Sequence, residues 1–158
     1  MSTLNHPGES WPIDAAGGLR PTRVLVVDDE KFIRAFAERV LHAEGYAVDT
    51  ASDGPEALSI VKDEGPFDLF VIDVLMPKMR GDELAGQLRR LHPEAKVLYL
   101  TAYVDLLLRE KHVLWENEAV LEKPVTVARL RKAVSLLLFE HTRGLKRNPD
   151  ADPGDEVS

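Results

Sequence analysis

The sequence predicts a parallel α/β fold of five strand–helix units, and three observations point to it. Short runs that are apolar on both faces, Val24-Leu25-Val26-Val27 and Leu69-Phe70-Val71-Ile72, suit strands covered by helices on both sides. Amphipathic stretches with helical spacing alternate with these runs, and turn-forming residues punctuate the alternation. At 158 residues the chain is long enough for one well-buried domain and short for two.

Met1 to Arg20 contains Pro7, Gly8, Pro12, Gly17 and Gly18 without helical or strand period, and reads as a flexible leader over 1–20 in which Trp11 and Ile13 are candidates for docking. The first strand is Val24–Val27. Phe32, Ile33, Phe36, Ala37, Val40 and Leu41 then repeat at helical spacing, with Gly45 as the stop. Ala47-Val48-Asp49-Thr50 alternates, as an edge strand does. Asp53-Gly54-Pro55-Glu56 supplies a cap, an early proline and a glutamate three after the cap, which opens a second helix with Leu58 and Val61 inward. Leu69–Ile72 is the third strand, and Leu84, Leu88 and Leu91 place a third helix ended by Pro93. Val97–Leu100 is the fourth strand and Leu106 to Val113 the fourth helix. Ala119–Leu121 is the fifth strand. Thr126 caps a fifth helix in which Val127, Leu130, Val134, Leu137 and Leu138 share an arc of roughly 100°. Thr142 to Ser158 has Gly144, Pro149, Pro153 and Gly154 and two aliphatic residues, Leu145 and Val157. It reads as a flexible tail over 142–158 with no output domain, leaving 21–141 as the folded unit.

Composition excludes several classes. With 44% hydrophobic and 30% charged residues the chain reads as soluble and globular, without an apolar run of the roughly 20 residues that span a bilayer. No secretory signal opens it, and the absence of cysteine removes disulfides and thiolate sites, which fits a cytoplasmic setting. A net charge of −7 argues against direct binding to DNA. The histidines lack metal-ligand spacing and are assigned to the surface.

In an open parallel sheet the site lies outside the carboxyl ends of the strands, where the strand order reverses. The first strand ends in Asp28-Asp29, the third in Asp73, the fourth in Thr101 and the fifth in Lys123-Pro124. Three acids converging there repel one another and lose hydration, which calls for a cation. Mg²⁺, with its preference for oxygen ligands, is the natural candidate. Lys123 adds positive charge and Thr101 a hydroxyl donor, so the pocket suits an anion attached to one carboxylate, as in phosphoryl transfer.

Val26-Val27-Asp28-Asp29-Glu30, Val71-Ile72-Asp73-Val74-Leu75-Met76-Pro77, Leu100-Thr101-Ala102 and Glu122-Lys123-Pro124 resemble the four signature segments of response-regulator receivers. Their separations fit as well: 45 positions from Asp28 to Asp73, 28 to Thr101 and 22 to Lys123. The resemblance covers Thr22 to His141 and implies a flavodoxin-like, doubly wound five-stranded sheet of order 2-1-3-4-5. It implies that Asp73 accepts the phosphoryl group from a phosphohistidine on a sensor histidine kinase or histidine phosphotransfer protein. Asp28, Asp29 and Asp73 would hold Mg²⁺ with the main-chain carbonyl of Leu75, one aspartate acting through water. Thr101, the Ala102 amide and Lys123 would bind the phosphate, with Lys123-Pro124 cis. The family docks a downstream protein, or a second copy, on the fourth helix, fifth strand and fifth helix. Leu106, Leu107, Leu108, Trp115, Leu136 and Phe139 are the apolar candidates for that face.

The sequence departs from the family pattern three positions before the lysine, where an aromatic ring usually reports phosphorylation and Val120 stands instead. Tyr103 is a candidate substitute. Leu75 and Tyr103, at positions that set phosphate lifetime in the family, are neither acid nor amide, and slow self-dephosphorylation is expected. Val120 also keeps open a receiver-fold adaptor that binds partners without phosphorylation. A dehalogenase-type phosphatase needs a second aspartate where Leu75 stands, and no Gly-rich dinucleotide fingerprint follows the first strand.

Overall fold

The computed structural model describes residues 20–104, 107 and 116–140. Within them lie β1 (Arg23–Val27), α1 (Lys31–Ala43), β2 (Ala47–Ala51), α2 (Gly54–Glu64), β3 (Leu69–Asp73), α3 (Gly81–Leu91), β4 (Lys96–Thr101), β5 (Glu118–Glu122) and α4 (Val127–Ser135), which runs into a wider π-type turn over Leu136–Glu140. The helix α4 is the fifth of the expected helices. Apart from Val104 and Leu107, the fourth expected helix and its flanks lie outside the described residues, as do the leader up to residue 19 and the tail from residue 141.

The strands form one parallel sheet in the order β2-β1-β3-β4-β5. This is the flavodoxin-like doubly wound α/β fold. The order reverses between β1 and β3, where the crevice for a site is expected. Both strands are buried on both faces, which is why they read as continuous apolar runs, whereas β2 is only partly buried along its length and alternates. Val24, Val26, Val71 and Leu98 pack with α1 and α4 on one side, and Leu25, Val27, Phe70 and Ile72 with α2 and α3 on the other.

Local chemistry sets the helix ends. The Asp53 carboxylate accepts the Glu56 amide at 2.9 Å, while the Glu56 carboxylate accepts the Ser52 amide at 2.8 Å. The Thr126 hydroxyl accepts the Arg129 amide at 3.1 Å. These caps satisfy amides that no helical carbonyl can reach. After α1 the chain turns through Gly45 at φ 94°, a region that side chains rarely adopt.

Several side chains lie elsewhere than their periodicity suggests. Phe32, in the first turn of α1, is 86% exposed, and Ile33, Phe36, Ala37, Val40 and Leu41 carry the packing. Val127 and Leu91 are likewise exposed. Leu107, expected on a docking face, is fully buried against the α2–α3 side; its apolar side chain serves the core and is withdrawn from any partner. Each strand also extends one residue or two beyond its apolar run, because ladder hydrogen bonds continue past the last apolar side chain.

Candidate phosphoacceptor site

The carboxyl ends of β1, β3, β4 and β5 bring Asp28, Asp73, Thr101 and Lys123 together. Ladder-like backbone bonds extend beyond the strands and hold the loop starts: Asp28 donates to the Ala51 carbonyl, Val74 to Leu100 and Lys123 to Thr101. Asp28, Asp73 and Thr101 are buried. Asp29 is exposed at the rim, yet one oxygen from each of the three aspartates lies within 4.8 Å of the others.

Lys123 is the cation of the pocket. Its Nζ lies 3.2 Å from Asp28 Oδ2, 3.5 Å from Asp73 Oδ1 and 3.8 Å from Glu30 Oε1. Burial pulls its pKa down, but the charges of Asp28 and Asp73 outweigh that and leave it above the usual lysine value. One ammonium does not neutralise the acids. Burial, reinforced by the Asp28 charge, pushes Asp73 up to about 7 against the opposing pull of Lys123. Burial also raises Asp28, although the Glu30 amide, 2.9 Å from its Oδ1, and Lys123 oppose the rise. The pocket is thus short of positive charge, and its donors are carboxylate oxygens alone. That set fits a hard divalent cation and suits a softer metal poorly.

Thr101 Oγ1 accepts the Tyr103 amide at 2.9 Å, which leaves its proton to be donated elsewhere. Ala102 is exposed beside it, and the Tyr103 ring, 57% exposed, stands at the rim with Leu75. Val120 is half-buried opposite Tyr99 in the ladder and packs on the α2–α3 side. Tyr99 is fully buried there, and its hydroxyl donates to Glu118, which pairs with Arg89 of α3 at 3.0 Å. An aromatic ring therefore does sit next to the Val120 position, on the neighbouring strand. Leu136 and Phe139 are exposed near the end of α4, but Phe139 turns toward the amino-terminal pole of the sheet, where it lines a groove with Leu91 and Pro66. Leu106 and Trp115 lie outside the described residues.

Two residues that build the site escape sequence reasoning. Arg34 donates from its guanidinium to the Asp28 carbonyl at 2.8 Å and so ties α1 to the loop that carries the acids. Gly81 reads as loop geometry, but it opens α3 and its amide donates to the Val74 carbonyl at 2.8 Å. A Cβ at Gly81 would stand 2.1 Å from the Asp73 carbonyl oxygen and 2.8 Å from Ile72 Cγ2. Glycine there lets the helix abut the backbone of Asp73. The available signal was a glycine at the first position of a helix, where a better helix former is usual. The Lys123-Pro124 peptide is cis, as expected, and Gly65-Pro66, for which no expectation was drawn, is cis as well.

Comparison with known proteins agrees with this arrangement. Over 138 residues the chain is 33% identical to the response regulator MprA of Mycolicibacterium vanbaalenii, covering 87% of this chain and 57% of that protein. It is 34% identical over 116 residues to the sensor kinase CckA of Brucella abortus, covering 73% of this chain and 12% of the kinase. The chain thus spans a little over half the length of this MprA and about a third of others. Among solved structures, the response regulator TrrA of Thermotoga maritima in complex with Mg²⁺-BeF is 38% identical, with a TM-score of 0.66 over 74% of this chain and 99% of that one. A CheY-like receiver domain protein from Methanospirillum hungatei gives 0.67 at 27% identity, over 78% and 98%. The family model of the response regulator receiver domain matches residues 24–135, and the chain belongs to that family of two-component signalling.

Proposed function

We propose that the chain is the phosphoacceptor of a two-component or phosphorelay system and takes a phosphoryl group from a partner's phosphohistidine onto Asp73. The observation that carries this reading is the buried Asp28–Asp73–Lys123 cluster, with Asp73 at about 7. An ordinary structural aspartate would be neutralised by its partners, whereas this one is surrounded by its own kind. In the transfer the P–N bond of the donor breaks and an O–P bond forms on an Asp73 carboxylate oxygen. Lys123 binds the phosphoryl oxygens, and Thr101 and the Ala102 amide donate hydrogen bonds to them. Asp28 and Asp29, with Asp73 and the Leu75 carbonyl, would hold Mg²⁺, which supplies the missing positive charge when bound; the complex of the similar TrrA with Mg²⁺-BeF supports the choice of ion. The partner is a sensor histidine kinase or phosphotransfer protein in the cytoplasm, and the receiver occupies residues 21–141, whose role here needs no contact with DNA. Output passes through the β5–α4 face, including Leu136, to a downstream protein or a second copy.

Intact mass after incubation with a small phosphodonor and Mg²⁺ tests the reading. The wild type should gain the mass of one phosphoryl group, and Asp73→Asn and a sample in excess chelator should gain none. No gain on the wild type would favour the second reading, a receiver-fold adaptor that binds partners unphosphorylated. That reading draws on Val120, which lacks the ring that couples Thr101 to the output face in the family. Persistence of the added mass for many minutes is also expected, since Leu75 and Tyr103 offer no group to position water.

A further inference from the structure

At the amino-terminal pole of the sheet, far from Asp73, the described residues enclose a groove of about 610 Å³. Pro66, Leu91, Leu138 and Phe139 give it an apolar wall, and Arg20 and Lys96 with Asp68 and Glu94 set charges of both signs around it. Leu91 is 44% and Phe139 56% exposed. Gathered on one concave surface, these side chains offer an apolar bed for a further segment of chain. The chain itself enters the fold there. Arg20 lines the groove and its guanidinium lies 3.9 Å from Asp68, so the first described residue of the chain stands at the groove wall.

Those residues have a composition that complements the groove. Trp11-Pro12-Ile13 is the one aromatic and β-branched cluster among them, flanked by Glu9 and Asp14, and no lysine or arginine occurs before Arg20. Lys96 is partly stripped of water by burial, which pulls its pKa down against the opposing pull of Asp68 and Glu94, and an acid of the leader would add to that pull. The reach is ample: the seven residue steps from Ile13 to Arg20 span up to about 24 Å, and Gly17-Gly18 permits a reversal of direction. The other terminal segment fits less well, because it has no Phe, Trp or Tyr and its two aliphatic residues, Leu145 and Val157, stand twelve positions apart. We propose that Trp11-Pro12-Ile13-Asp14 docks into this groove of its own chain, with Trp11 and Ile13 against Leu91, Leu138 and Phe139 and the flanking acids toward Lys96 and Arg20. The groove is then an intramolecular docking site at the pole opposite the phosphoacceptor, and its occupation does not depend on phosphorylation.

The chain has two tryptophans, Trp11 and Trp115, so Trp115→Phe isolates the signal of the leader in the full-length protein. Emission of Trp11 should be blue-shifted and several-fold less quenched by acrylamide than in the same chain unfolded in urea. Phe139→Glu, at an exposed position that tolerates a charge, should return both to the unfolded values. Emission that is already solvent-like in the folded protein, or that Phe139→Glu leaves unmoved, overturns the proposal. A second experiment holds even if Trp115→Phe fails to fold. Because the native chain has no cysteine, the designed pair is the one disulfide that Ile13→Cys with Leu91→Cys can form within a single chain. Mild oxidation should give a cross-linked monomer of altered mobility. A cross-linked dimer, which would assign the groove to a second copy, or no cross-link at all, overturns it.

Discussion

β3 is bracketed by two aspartates whose side chains are almost equally buried, Asp68 at 9% exposure before it and Asp73 at 8% at its end. Burial raises the pKa of both. Their neighbours separate them. The Asp68 carboxylate accepts the Arg23 backbone amide at 2.7 Å and faces the Arg20 guanidinium, so its charge is met by donors that tie β1 to β3. Asp73 faces Asp28 and Asp29, with a single ammonium shared among them. Burial alone thus does not make a carboxylate reactive. A buried acid becomes a site when its surroundings leave charge unbalanced and room for a ligand to balance it.

This contrast breaks if the two ends of β3 respond alike to substitution. The largest effect is expected at Gly81, whose close approach fixes the backbone of Asp73. Gly81→Ala should cost about 1–3 kcal/mol by overpacking and depress phosphate incorporation, whereas Gly86→Ala, with no atom within 4 Å of the added Cβ, should stabilise by about 0.5–1 kcal/mol. Urea denaturation and intact mass read both. Next, Asp68→Ala strands the Arg23 amide and should destabilise by about 1–3 kcal/mol, while Asp73→Asn should stabilise. Equal signs for the two would remove the distinction.

The Asp73 effect carries a pH signature. Its carboxyl holds a proton more tightly in the folded state, at about 7, than an ordinary aspartate does at 3.8. Between those values folding takes up protons, so this contribution is present at low pH and is lost as pH rises toward and through 7. The advantage of Asp73→Asn over wild type should therefore be full at pH 8, shrink as pH falls below 7 and vanish near pH 4. The smallest effect sharpens the comparison further. Mg²⁺ should raise the melting temperature of the wild type by a few degrees at pH 8 and less at pH 6, and chelator should reverse it, with little change in Asp73→Asn. A metal response that is the same at both pH values and in both proteins would place the ion elsewhere.

Much of this was legible in the sequence, for physical reasons that differ by element. Val24–Val27 and Leu69–Ile72 are buried on both faces and so announce themselves as unbroken apolar runs. Asp53 and Thr126 act through short-range capping, which a local pattern records. The convergence of Asp28, Asp73, Thr101 and Lys123 followed from their places at the carboxyl ends of strands. Other features depend on neighbours that the sequence does not place. Periodicity marks Phe32 and Val127 as apolar but cannot say that both are left exposed in the first turns of their helices, and Leu107 looked like surface because its partners on the α2–α3 side are distant in the chain. Asp68 and the groove beside it are built from four separate segments of the chain at the amino-terminal pole of the sheet, which no local pattern brings together.

The Lys123–Asp28 contact joins residues 95 positions apart. Loop closure over such a span is among the last costs met in folding, and contacts of long sequence separation form late. Asp28 and Asp73 lie in the first half of the chain, but their cation arrives only with β5. A chain emerging from synthesis therefore exposes its acids long before it owns the lysine that organises them, and the pocket becomes competent as a whole when the final strand closes the sheet. The site acts as its own checkpoint for complete folding.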